Sequence, residues 1–108
     1  MIRVKFFVGN RQLKGFEISG HAGFAESGKD IICASVSSAA YMAANTITDV
    51  IGANAEAQVD ENGAMALTLN EPDERAETVL KGLELHLSEL SEQYPENIKI
   101  IYGGVKNA

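Results

Sequence analysis

The chain has 108 residues, 45% of them hydrophobic, which is the size and make-up of one domain around one hydrophobic core. Its formal charge of −6 argues against a nucleic-acid binder, which needs a basic footprint, and its single cysteine rules out an internal disulfide. No apolar run approaches the ~20 residues that span a bilayer, and MIRVKFFVGN is too short and too alternating for the apolar core of a signal peptide, so a cytoplasmic protein is expected.

Residues 2–8 alternate, with Ile2, Val4, Phe6 and Val8 on one side and Arg3 and Lys5 on the other, which predicts a half-buried strand. Gly9-Asn10-Arg11-Gln12 reads as a turn, and Leu13 to Ser19 as the returning strand of a hairpin. A loop with three glycines follows from Gly20 to Gly28. A helix is expected to start near Asp30 or Ile31, with Val36, Ala40, Ala43, Ile47 and Val50 as its apolar stripe and Gly52 as its end.

Ala55, Ala57 and Val59 alternate with polar residues, Asp60-Glu61-Asn62-Gly63 is a turn, and Met65, Leu67 and Leu69 return as a second hairpin. Asn70 is the expected N-cap of a second helix, with Pro72 in its first turn. Its stripe is Ala76, Val79, Leu80, Leu83, Leu87 and Leu90, with Leu85 half a turn away, exposed or at a subunit interface. Asn97 to Tyr102 gives a last strand. The expected fold is α+β: a two-layer sandwich in ββαββαβ order, with two helices packed on a mixed, mostly antiparallel sheet.

The negative charge is localised. Residues 71–96 hold eight acidic side chains against Arg75 and Lys81, while the rest of the chain balances. A solvated helix face accounts for this, and so would a basic partner.

The chemistry centres on Cys33, twelve residues after His21, one of two histidines. A lone cysteine is usually a small buried hydrophobe. Here a Gly-rich loop and an expected first-turn position, facing free N–H groups and the helix dipole, point to a reactive thiol. The dipole alone is too weak. It contributes ~0.3–1 kcal/mol, under one pKa unit, whereas a free thiol of pKa ~8.5 is only a few per cent thiolate at pH 7. A neighbouring imidazolium lowers a thiol pKa by several units, so His21 is needed. Asp30 can cap the helix, orient His21 or position substrate, and Ser37, one turn beyond Cys33, can donate into the site or simply pack. Gly20, Gly23 and Gly28 make turns or let a substrate backbone approach. Residues 23–30 nearly match a phosphate loop, but Asp30 stands where a magnesium-binding hydroxyl is wanted. Cys33, His21 and His86 lack zinc-site spacing, so no metal or cofactor is expected.

Gly20-His21-Ala22 followed by Gly28-x-Asp30-Ile31-x-Cys33-Ala34-x-Val36-Ser37 resembles the signature of the ribosomal-processing cysteine protease (Prp) family, and the resemblance covers essentially the whole chain. It implies a cytoplasmic bacterial endopeptidase, commonly homodimeric. Such enzymes remove an N-terminal extension, apolar and aromatic before the cut, from the large-subunit ribosomal protein numbered twenty-seven, a step needed for a functional ribosome. It implies Cys33 as nucleophile and His21 as base, Asp30 and Ser37 as supporting residues, and a substrate loop bearing Gly20, Gly23, Phe24 and Gly28. Phe24 lines the cleft on this reading or plugs the core beneath the loop. The rivals are a binding module with an inert Cys33 and a thiol redox sensor, which would form a sulfenate without cleaving peptide.

Overall fold

The computed structural model describes residues 1–20 and 29–104, the side chains of Lys29 and Asp30 excepted. Strands β1 (Ile2–Gly9), β2 (Gln12–Ser19), β3 (Ala55–Val59), β4 (Met65–Leu69) and β5 (Ile98–Gly103) form one sheet, with helices α1 (Lys29–Asn45) and α2 (Glu74–Gln93). The chain order is ββαββαβ, and the fold is α+β, as expected. The sheet order is β3-β4-β2-β1-β5. All pairs are antiparallel except β1 with β5. Each helix therefore crosses over at least one intervening strand: α1 carries the chain from β2 past β4 to β3, and α2 carries it from β4 past β2 and β1 to β5.

The β1–β2 hairpin closes through Asn10 (φ 52°) and Arg11 (φ 62°), the left-handed pair of a tight two-residue turn. A bulge between Phe7 and Val8 shifts the register and interrupts the alternation. Val8, expected on the core side, is exposed, and Phe7 is buried instead. Beside the bulge, the Leu13 N–H donates to Glu77 Oε2 at 3.0 Å, tying β2 to α2. Gly15 lets β2 approach β4, because a Cβ there would lie 2.0 Å from the Leu67 carbonyl oxygen.

The core lies between the sheet and both helices. Val4, Phe6, Phe16 and Leu67 from the sheet meet Val36, Leu80 and Leu87 from the helices, all fully buried. Each large side chain contributes roughly 1.5–3 kcal/mol of transfer free energy, offset in bulk by chain entropy.

Helix α1 buries Val36, Ala40 and Ala43 as predicted, then continues as a π-helical segment, Thr46–Ile51, that buries Ile47. Val50 is the exception, at 78% exposure. The i→i+5 winding needs more than four residues per turn, so the 3.6-residue spacing that placed Val50 inward does not hold in this segment. Gly52 ends the segment in the left-handed conformation (φ 73°), its N–H bonded to the Ile47 carbonyl. By length and composition Ile31–Ile51 could cross a bilayer, contrary to the expectation that no apolar run is long enough. In this fold its inner stripe packs into the core.

The expected cap of α2 needs correction. Asp73, not Asn70, is the N-cap, accepting from the Arg75 and Ala76 N–H groups. Asn70 instead joins its side chain and backbone to Asn54, and Pro72 precedes the helix. The Arg75 side chain bonds Asp73, and with the Ala76 N–H it holds that carboxyl below its ordinary pKa. The stripe Ala76, Leu80, Leu83 and Leu87 is buried, with Val79 and Leu90 half-buried and Leu85 exposed. On β5, Tyr102 stacks near Phe6 and donates to Glu84 Oε2 at 2.7 Å. That acceptor, with some burial, raises its pKa.

Candidate active site

Gly20 ends the sheet side of the site. Its φ is +85°, and a Cβ there would lie 2.3 Å from the Met1 carbonyl oxygen, so both backbone conformation and space demand glycine. The chain turns off β2 here, and His21 is the next residue in sequence. His21, Gly23, Phe24 and Gly28 lie outside the described residues.

On the helix side, α1 is already formed at Lys29. This changes two expectations. Asp30 stands inside the helix rather than capping it, and Cys33 is the fifth residue of α1, past its first turn. The i→i−4 ladder therefore takes up the Cys33 N–H, and the helix dipole acts on the thiol more weakly than a first-turn position would allow.

Cys33 is half-buried and packs against the core cluster. It borders a cleft of about 120 Å³ shared with Ile2, Ile18, Gly20, Val36, Ser37, Asn62 and Gly63. Sequence-predicted Gly20, Cys33 and Ser37 are thus brought together. Ser37, one turn along α1, is exposed at the same cleft. The Asp30 side chain lies outside those described. Among the described lining residues none is charged, and Cys33, Ser37 and Asn62 are the ones with polar side chains.

In the sequence Asn62 and Gly63 read only as turn residues. No local pattern ties them to Cys33; the β3–β4 hairpin reaches the cleft only because β4 pairs with β2, Met65 opposite Ile18. His86, the other histidine, is exposed on α2 and lines a separate groove between the helices.

Known proteins share this architecture and most of this chain's length. The family model described as cysteine protease Prp matches residues 1–99. The ribosomal processing cysteine protease Prp of Bacillus subtilis is 26% identical over 97 residues, covering 84% of this chain and 87% of the relative. Its Staphylococcus aureus counterpart is 28% identical over 87 residues, covering 79% and 82%. The crystal structure of SMU.848 from Streptococcus mutans superposes with a TM-score of 0.85 at 27% identity, covering 97% of this chain and 96% of that one. The essential ribosomal processing protease Prp from S. aureus, solved with a covalently linked product peptide, gives the same TM-score and identity, covering 94% and 99%. A two-helix, five-strand α+β fold with these relatives defines a cysteine protease. Within that class the chain belongs to the Prp family of ribosomal processing proteases.

Proposed function

We propose that Cys33 is the nucleophile of this protease and His21 its base. The substrate on this reading is the N-terminal extension of the bacterial large-subunit ribosomal protein numbered twenty-seven. The single observation that carries the proposal is the cleft in which the half-buried thiol meets Gly20, the residue bonded to His21. The near-match to a peptide-bound S. aureus protease supports a peptide substrate.

His21 takes the thiol proton, and the thiolate attacks the scissile carbonyl. The imidazolium returns its proton to the leaving amine, and water hydrolyses the acyl-enzyme. Because Cys33 sits past the first turn of α1, the imidazole supplies most of the activation, and the oxyanion donors are N–H groups nearer the start of that helix. Ser37 donates into the cleft from one turn away, and Asp30 orients His21 or substrate. Gly20, Gly23, Phe24 and Gly28 serve substrate binding on this reading, with Phe24 meeting the apolar residues before the cut. The enzyme acts in the cytoplasm as a homodimer, in ribosome biogenesis.

Alkylation tests the pair. Iodoacetamide should modify Cys33 rapidly near pH 7, and His21→Ala should slow it about tenfold or more. Equal rates in both proteins would remove His21 from the role of base.

A further inference from the structure

The β3–β4 turn forms one wall of the Cys33 cleft, and nothing in the activation of the thiol uses it. Asp60 binds this turn tightly. Its Oδ1 accepts from the Asn62 N–H at 2.8 Å and the Ala64 N–H at 2.9 Å. Its own N–H donates to the Ala64 carbonyl, and its carbonyl accepts from the Gly63 N–H. Gly63 takes the left-handed conformation that closes the turn (φ 82°).

Asn62 itself is exposed, with negative φ, so the turn does not require an asparagine there. Its backbone N–H is satisfied by Asp60, while its side-chain amide makes no hydrogen bond to the described residues. An extended peptide in a cleft walled by Ile2, Ile18, Val36 and glycine must still pair its backbone N–H and C=O groups. A carboxamide carries two N–H donors and a carbonyl acceptor on separate atoms, so it can pair with a peptide N–H and C=O at once, beyond what the weak thiol and the single O–H of Ser37 supply.

We infer that Asn62 binds the main chain of the substrate peptide at the Cys33 cleft, and that Asp60 is a positioning residue that holds it there. The inference rests on the reading of Cys33 as the nucleophile. Asn62 acts on peptide binding and leaves the thiol's own reactivity alone.

The test uses the full chain and a peptide spanning the cut in the extended ribosomal protein. Its binding is measured on Cys33→Ala, which leaves it intact, and on Cys33→Ala with Asn62→Ala. The added substitution should weaken Kd about fivefold or more, the worth of a lost hydrogen bond. In the active enzyme Asn62→Ala should raise KM by a similar factor, with kcat, Tm and the iodoacetamide rate unchanged. Asp60→Ala should raise KM too, with part of the effect restored by Asp60→Asn. An unchanged Kd overturns the inference, as does a KM effect of Asn62→Ala accompanied by a lower Tm or slower alkylation. A wild type that fails to cleave a peptide Cys33→Ala still binds would refute the protease–substrate reading while leaving the Asn62 result to stand on Kd. Absence of both binding and cleavage would overturn both.

Discussion

Gly20 couples local geometry to chemistry more directly than any other described residue. It turns the chain off β2 with φ +85°, under the Met1 carbonyl, immediately before His21. Alanine there combines a left-handed backbone with a clash against backbone, a cost of about 2 kcal/mol or more. Gly20→Ala should therefore lower Tm by roughly 8 °C or more in a thermal melt, and shift the start of the His21 segment. A Tm within a degree of wild type would show that the site tolerates a side chain. The sequence motif already singled out Gly20, His21, Cys33 and Ser37, because a glycine before a histidine and a helical i, i+4 pair are local patterns. Asn62 escaped because its nearness to Cys33 is a long-range product of β4 pairing with β2.

Among the elements, α1 separates what periodicity can and cannot reveal. The 3.6-residue period located Val36, Ala40, Ala43 and Ile47 correctly, then failed at Val50, where the helix widens to π winding. Ile47→Ala should cost about 2–5 kcal/mol, while Val50→Ala should stay within about 0.5 kcal/mol; denaturant melts compare the two directly. Likewise the bulge after Phe7 inverted the last part of an otherwise readable strand. At the start of α2, Asn70 and Asp73 are both good capping residues, and the Asn54 partner decides between them. Asp73→Ala should lower Tm at pH 7 by about 5 °C. The Asp73 carboxyl is held below its ordinary value of 3.8 by Arg75 and the Ala76 N–H. A depressed acid stabilises the fold above its unfolded pKa and loses that contribution as pH falls through the folded one. The difference between wild type and Asp73→Ala should accordingly shrink below pH 3.8; a constant difference would mean that the cap's charge is irrelevant.

For the whole molecule, the localised negative charge would suit the basic substrate proposed above. Eight acidic residues lie in 71–96. Asp73, Glu77 and Glu84 are engaged with the start of α2, Leu13 and Tyr102, which leaves Glu71, Glu74, Glu89, Glu92 and Glu96 exposed. A basic ribosomal protein would be steered towards this face, so kcat/KM should fall several-fold as salt rises, and neutralising those five residues to Gln should flatten the dependence. A salt-independent rate would remove the steering role. The central claim is that Cys33 cuts the extended ribosomal protein. Its most direct measurement is mass spectrometry of that protein after incubation with wild type and with Cys33→Ala. Loss of the N-terminal extension with wild type, and an intact mass with Cys33→Ala, is the predicted result; cleavage that survives Cys33→Ala would contradict it.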